Sequence, residues 1–422
     1  MKIMVIGGGG REHAIIKKIS ENKNVEKIYA LPGNGGIEAD AICVNIGAED
    51  IYKARDFALD EGIDFAVVAP DDPLAMGAVD ILEEAGIKCF GPDKKAAEIE
   101  SSKVFSKNLM KKYGIPTADY EVFNDVNDAL DYVKECKIPI VIKASGLAKG
   151  KGVIIAMKRE EAINAVKDIM EDKKFGKSGD EIVIEEFLEG PEVSVLSFTD
   201  GKTIIPMISS MDHKRALDGD EGLNTGGMGC VAPNPFYTED VSERCMKEIF
   251  IPTVNAMNEE GRTFKGCLYF GLMITDDGPK VIEYNCRFGD PETQVVLPLL
   301  KSDLLNIMMA VRDEKLSEDM VEFSDKSSCC VVMASGGYPG KYDKGYQINV
   351  GKLPKASTLY IAGASRKGDK LFTNGGRVLG LTAISDTLKG AIDSAYQGIE
   401  KIDFNKAYYR KDIGLKALKA LI

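Results

Sequence analysis

Short apolar runs recur through the first hundred residues, at positions 3–6, 28–31, 42–46, 65–69 and 88–90, with helical periodicity between them. Strands of this length alternating with helices predict a small parallel α/β sheet. The pattern changes after a helix expected over 96–112 and the break Tyr113-Gly114-Ile115-Pro116. Strands at 140–144 and 153–157 flank a glycine-rich loop, and a helix from Arg159 leads to a strand at 182–186, which together predict a compact α+β unit. Two hairpins follow. One joins 192–199 to 203–211 through Asp200-Gly201, and the other joins 267–275 to 280–284 through Asp276-Asp277-Gly278-Pro279. Between them residues 212–235 read as one long, polar, glycine-dense loop, a length that in compact domains usually serves function. From Ser324 onward, strands at 329–334, 358–362 and 377–384 and a helix over 388–402 predict a closing domain with few catalytic groups. The expected units are 1–100, 101–190, 191–323 and 324–422.

At 422 residues the chain exceeds one ordinary hydrophobic core, so several domains are expected. Hydrophobic residues at 44% and charged residues at 28% fit a globular enzyme. No apolar run approaches the length that spans a bilayer. Met1 to Gly10 reads as a buried strand running into glycine rather than a signal peptide, so a cytoplasmic location is expected. The nine cysteines show no Cys-x-x-Cys pair and read as reduced thiols. A net charge of −12 argues against a nucleic-acid partner. His13 and His213 are the chain's two histidines, so carboxylates, lysines and arginines must carry the chemistry.

Gly7-Gly8-Gly9-Gly10 after the first strand opens a helix whose N–H groups could cradle a phosphate. A tight strand-to-helix turn without a ligand would look the same, and Arg11, Glu12 and His13 break the dinucleotide spacing. Pro32-Gly33-Asn34-Gly35-Gly36 lies at the same carboxyl edge of the sheet, and two such loops favour a phosphorylated substrate. Lys143 ends a strand and precedes Gly146, Lys149, Gly150, Lys151 and Gly152, whose glycine-rich backbone and cationic side chains suit closing over a polyphosphate. A solvated hairpin tip is the alternative. Glu185-Glu186-Phe187-Leu188 and Glu192 could present backbone to adenine and a carboxylate to ribose, although an acidic surface turn would look alike. Glu283 and Asn285 share one face of a strand end, offering a carboxylate and an amide oxygen to Mg²⁺ or Mn²⁺. Arg287, two residues on, is placed to meet phosphoryl or carboxylate oxygens. In the long loop, Asp212-His213-Lys214-Arg215 sets three potential cations beside an acid, with Lys214 and Arg215 joining Arg287 as catalytic candidates and His213 a positioning residue. Thr225, Gly226 and Gly227 share that loop.

In order along the chain, Lys143 with its loop, Glu185 to Leu188, Glu192 and Glu283-x-Asn285-x-Arg287 resemble the nucleotide site of the ATP-grasp ligases. Further motifs narrow the resemblance. These are Ile6 to Ala14, Pro32 to Gly36, Asp212 to Arg215, Asn224 to Gly229, Glu283 to Gln294, Thr373 to Val378 and Tyr409 to Gly414, and together they resemble the phosphoribosylamine–glycine ligase family over essentially the whole chain. The resemblance implies an N-terminal parallel α/β domain, ATP-grasp domains and a small C-terminal domain. It also implies ligation of glycine to 5-phosphoribosylamine at the expense of ATP and Mg²⁺ or Mn²⁺, by a monomer or small homo-oligomer. Lys103 and Lys143 would contact phosphates, Glu186 and Leu188 adenine, and Glu192 ribose. Gly9, Gly10, Asn34 and Gly35 would face the phosphoribosyl group, with Asp290 toward glycine. The sequence departs from the family pattern at Ser145, where an acid is common, and at Lys149. Residues 267–275 supply no second acidic metal ligand, and no counterpart is present of the extra domains of fused multifunctional members.

Overall fold

The computed structural model describes residues 1–148 and 151–421. The first five strands form a parallel sheet in the order Ile42–Cys43, Lys27–Pro32, Lys2–Gly7, Phe65–Val68 and Lys88–Phe90. Its side chains alternate between two cores. Met4, Ile6, Leu31 and Val68 enter one; Ile3, Val5, Ala30 and Val67 enter the other. A parallel sheet buried on both faces reads as an unbroken apolar run for this reason.

The helix expected over 96–112 is two helices, Lys94–Ser101 and Lys103–Tyr113. Ser102 sits between them in extended backbone, and its side chain accepts from the Phe105 N–H, so it caps the second helix instead of continuing the first. This break turns Lys103 toward the glycine-rich loop. Gly114 ends the second helix in the left-handed conformation, as the Gly-Ile-Pro break predicts.

Tyr120–Phe123, Ile182–Glu186, Ile140–Ala144 and Val153–Ala156 form an antiparallel four-stranded sheet in that order, with its own core around Ile142, Ile184, Val133 and Ile169. The next sheet runs Ile204–Pro206, Glu192–Thr199, Gly266–Thr275 and Gly278–Asn285. Its strands feed the two cores of the N-terminal sheet: Val195 and Phe270 join Met4 and Ile6, while Phe198 and Cys267 join Ile3 and Val5. Units separated along the chain thus share their interior. The strand expected over 203–211 stops at Pro206 and resumes as Met211–Asp212, while Ser210 and Ser194 exchange backbone hydrogen bonds across the gap.

The long loop is more ordered than its composition suggests. Arg215–Leu217 pairs with Glu221–Asn224 as a hairpin, and Gly229–Ala232 enters the C-terminal sheet beside Ser327–Ser335, with Met211–Asp212 on its outer side. That sheet continues through Arg377–Ser385 to Ser357–Ile361 and is covered by the helix Leu388–Ile399. Residues 211–232, assigned from sequence to the unit 191–323, therefore supply two strands to the C-terminal sheet. None of the described helices is long and apolar enough to cross a membrane.

Two glycine-rich turns meet at the carboxyl edge of the first sheet. A Cβ on Gly8 would run into the Gly33 carbonyl, so Gly8→Ala must push the turns apart. It should cost about 1–3 kcal/mol, the usual range for overpacking a tight contact. Gly47→Ala, which meets only the movable Asp50 carboxylate at 3.2 Å, should cost far less. Urea unfolding of the two variants in parallel checks the contrast, and equal losses would refute it.

Candidate active site

The cleft is built at the end of the strand Gly278–Asn285. Pairing shifts between Gly271–Glu283 and Leu272–Val281, leaving Ile282 as a bulge. The Ile282 carbonyl accepts from Lys143 Nζ at 3.0 Å. Bulges beside active sites commonly re-aim the neighbouring side chains in this way. Tyr284 and Cys286 are buried on one side, so Glu283, Asn285 and Arg287 share the other.

Around Glu283 the structure gathers cations. Lys214 Nζ lies 3.5 Å from Glu283 Oε1 and 3.0 Å from Glu192 Oε2. Burial pushes the Glu283 carboxyl up, but Lys214, Lys143, Lys103 and Arg287 together hold it below the usual range. Lys103 donates to the Gly146 carbonyl at 3.2 Å, and burial draws its ammonium down. Arg287 pairs with Glu100 at 2.9 Å and donates to Asn285 Oδ1 at 3.2 Å. Its buried Nε has no hydrogen-bond partner among the described residues, so a guanidinium edge remains to receive an oxygen. An ionised carboxylate and an amide oxygen on one strand face match the hard-oxygen donors that Mg²⁺ prefers. The described residues hold no cluster of three His, Cys, Asp or Glu side chains that could bind a metal unaided. Any cation there would lean on nucleotide phosphates and water.

Lys143 ends its strand against Glu185 Oε1 at 2.7 Å, and Lys107 holds Glu185 Oε2 at 2.9 Å. In the loop beyond, Gly146 packs on Ser178 and Gly152 on Ala148, while Lys151 is exposed. Lys149 and Gly150 lie outside the described residues. Glu186 is exposed and its N–H donates to the Asp119 carbonyl at 2.8 Å; Phe187 is half-buried and Leu188 buried.

A second cluster adjoins the first through residues 288–294. Arg377 Nη1 donates to the carbonyls of Asp290 (2.7 Å), Gly226 (2.8 Å) and Gly227 (3.3 Å), and its Nη2 lies 3.4 Å from the Asp290 carboxylate. Gln294 donates to Asp290 at 2.7 Å, and a Cβ on Gly10 would sit 2.6 Å from Gln294 Nε2. Gly227 has φ +116°, and a Cβ there would meet Asp212 Oδ1 at 2.6 Å. Thr225 Oγ1 accepts from the Gly227 N–H at 2.9 Å and donates to the Lys214 carbonyl at 2.9 Å. Asp212 is raised well above the usual carboxylate range by burial and by Glu292, and burial raises Glu292 in turn. The half-buried Asp212 and the buried Glu292, two acids that resist joint ionisation, form a place where a cationic amine is favoured.

Other expected site residues work elsewhere. Arg215 donates to the Gly222 carbonyl at 2.8 Å across its own hairpin. The Gly9 N–H donates to Glu12 Oε2 at 2.5 Å, closing a capping arrangement that commits this amide to its own helix. Asn34 Nδ2 donates to the carbonyls of Gly8 (2.9 Å) and Ile361 (2.8 Å), while the Ile361 N–H donates to His13 Nδ1 at 2.8 Å. The two glycine turns thereby clamp both backbone groups of one residue in the C-terminal domain, and Gly35 N–H adds a bond to the Ala364 carbonyl. His213 accepts the Gly414 N–H on Nε2 (3.1 Å), which places the ring proton on Nδ1, facing the Gly229 carbonyl at 3.2 Å. Its ring thus pins the long loop to the C-terminal segment.

Sequence reasoning missed Lys107, Glu100 and Arg377 as site residues. Arg377 lay within a motif quoted for the resemblance, as did Glu292 and Gln294. Lys107 and Glu100 sit on helices with ordinary periodicity, and nothing local marks them.

Residues 1–100, 101–293 and 328–416 match, respectively, the N domain, the ATP-grasp (A) domain and the C domain of phosphoribosylglycinamide synthetase. Phosphoribosylamine–glycine ligase of Caldanaerobacter subterraneus subsp. tengcongensis is 49% identical over 413 residues, covering 98% of this chain and 99% of that protein. The trifunctional purine biosynthetic protein adenosine-3 of Gallus gallus is 47% identical, spanning all of this chain and 42% of that protein. A crystal structure of phosphoribosylamine–glycine ligase from Thermotoga maritima superposes with a TM-score of 0.85 at 34% identity, covering 98% of this chain and all of that one. Biotin carboxylase from Campylobacter jejuni superposes with a TM-score of 0.76 at 14% identity, covering 97% and 92%, which shows a shared fold.

His213 gives the site a measurable pH dependence. Burial, then the Arg410 charge, draw its imidazole down to about 4. Unfolded, it titrates near about 6.5, so between those values the folded chain binds fewer protons. The associated stability is fully present above the unfolded value and is lost as pH falls through the folded one. From pH 7 to 5 this residue alone should cost about 2 kcal/mol. His213→Gln should remove that share of the acid sensitivity in urea unfolding at the two pH values, and an unchanged acid loss would refute the assignment.

Proposed function

The chain belongs to the phosphoribosylamine–glycine ligase family, and we propose from that premise that the cleft between Lys143, Glu283 and Arg377 is where ATP, glycine and 5-phosphoribosylamine meet. The enzyme is an ATP-dependent ligase of purine biosynthesis. The carrying observation is the junction at Glu283 to Gln294, where the cations gathered around Glu283 adjoin the acids Glu292 and Asp290, with Asp212 beside them.

Lys103, Lys143 and the loop residues Gly146, Lys151 and Gly152 hold the triphosphate. Glu186 to Leu188 border adenine, with Glu185 buried behind them between Lys143 and Lys107, and Glu192, half-exposed beside Lys214, faces ribose. Glu283 and Asn285 would hold Mg²⁺ or Mn²⁺, which when bound offsets charge on the transferring phosphate. The glycine carboxylate attacks the γ-phosphorus, ADP leaves, and glycyl phosphate forms. The ribosylamine nitrogen then attacks the activated carbonyl and phosphate departs. Arg287, through its free Nε edge, and Lys214 meet the developing anion, and Arg215 supports the loop that carries Lys214. Asp212 and Glu292 receive the amino group of glycine, because acids held protonated by burial ionise when a cation arrives, and Asp290, which Arg377 and Arg11 hold below the usual carboxylate range against its burial, adds its charge beside them. Arg377 sets the height of Asp290 against Thr225, Gly226 and Gly227. The turns at Gly9, Gly10, Asn34 and Gly35 border the phosphoribosyl group. The small substrates and the absence of a membrane-spanning helix among the described residues fit a cytoplasmic enzyme.

ADP release should require glycine and freshly generated 5-phosphoribosylamine together. ADP formed with bicarbonate or formate, and none with the glycine pair, would replace this reading with a carboxylase or transformylase of the same fold. Glu283→Ala should lower kcat by about 10²–10³ or more while leaving the thermal transition unchanged, since one charged ligand is lost from a polar cleft. Near-normal turnover would sink the metal assignment. Arg377→Ala should lower kcat/KM for glycine by about 10²-fold and leave the ATP KM within about twofold, because its contacts all lie in the amino-acid half of the cleft.

A further inference from the structure

Glu185 is one carboxylate held between two lysines. Lys143 Nζ is 2.7 Å from its Oε1 and Lys107 Nζ is 2.9 Å from its Oε2, and all three side chains are at most 4% exposed. The second lysine has no obvious need to be there. Lys143 alone would neutralise Glu185, and burying an additional ammonium carries a desolvation cost. Burial indeed draws Lys107 down to about 8 even with Glu185 against it.

The surroundings of Lys107 say what it does. Its ammonium also donates to Thr117 Oγ1 at 2.7 Å, and Thr117 Oγ1 donates in turn to the Val281 carbonyl at 2.7 Å. Val281 N–H donates to the Pro116 carbonyl at 2.8 Å. Lys107 therefore joins the Glu185 strand to the strand that carries Glu283, and with the Ala118 carbonyl at 3.4 Å as a third acceptor its three donors are fixed in protein. Lys143 is different. Besides Glu185 it has one backbone acceptor, the Ile282 carbonyl, immediately before Glu283.

We propose that Lys107 is a positioning residue of the nucleotide site, holding the Glu185 carboxylate so that Lys143 can turn from it to the phosphates of ATP. The inference rests on the reading above that Lys143 meets phosphate. Without Lys107, Glu185 would be left with Lys143 as its sole cation, and breaking that buried pair to bind a nucleotide would leave an unpaired carboxylate. With Lys107 present, Glu185 stays compensated when Lys143 leaves.

The test compares steady-state KM values for ATP and glycine in four variants. Lys107→Met should raise the ATP KM about tenfold, the scale of one charged hydrogen bond, and leave the glycine KM unchanged. In Lys107→Met with Glu185→Gln the trap is gone, so the ATP KM should return toward the wild-type value. Glu185→Gln alone should leave it equal or lower. An unaltered ATP KM in folded Lys107→Met overturns the proposal. So does a double variant no better than Lys107→Met, which would mean a purely structural role. If Lys107→Met fails to fold, a raised ATP KM in Glu185→Gln overturns it instead. Lys143→Met tests the underlying reading separately, because an unchanged ATP KM there removes the phosphate contact whatever the other variants do.

Discussion

The cleft depends on a balance of charge around Glu283. Lys103, Lys143, Lys214 and Arg287 all lower its proton affinity against a burial that would raise it. Four cations cannot crowd one carboxylate without mutual repulsion, so each is tethered elsewhere. Lys214 is tethered by Glu192, Lys143 by Glu185, Arg287 by Glu100 and Lys103 by a backbone carbonyl. The tethers keep the cations apart yet aimed at one place, which is the preorganisation a polyphosphate site requires.

The tethers and the cations they hold lie on several elements between residues 100 and 287, and the packing explains how they stay in register. The N-terminal sheet and the sheet carrying Glu283 share two cores, so their relative position is set by interior contacts. The small sheet with Lys143 and Glu185 has a core of its own. It is linked to the rest by the Lys107–Glu185 ion pair, by the Lys107–Thr117–Val281 chain and by the Lys143 bond to the Ile282 carbonyl. The C-terminal sheet places Cys230, Cys330 and Val332 in the second of those cores, and it is tied further by the His13 and Asn34 clamp on Ile361, by His213 on Gly414 and by Arg377 on the loop at Gly226.

The motifs that look most like ligand loops divide between chemistry and architecture. Asn34, Gly35 and His213 each make a hydrogen bond to the C-terminal domain, so part of what singles these motifs out is domain docking. Glu283, Asn285 and Arg287 do gather on one face, as alternation along a strand requires. Their expected neighbour Arg215 does not join them, because its hairpin carries the guanidinium to the Gly222 carbonyl.

By itself the sequence determined what local forces decide. Apolar alternation placed the strands Ile140–Ala144, Ile182–Glu186 and Glu192–Thr199, glycine ended the helix at Gly114, and residue spacing set Glu283 beside Asn285. The resemblance of the motifs carried the family. Tertiary structure alone decided the rest: the break at Ser102, the entry of Gly229–Ala232 into a distant sheet, and the pairing of Glu100 with Arg287 and of Lys107 with Glu185. Residues 187 apart in the chain, as Glu100 and Arg287 are, meet only because the cores beneath them fix their elements. A charge on a helix bears no local mark of the partner that folding brings to it.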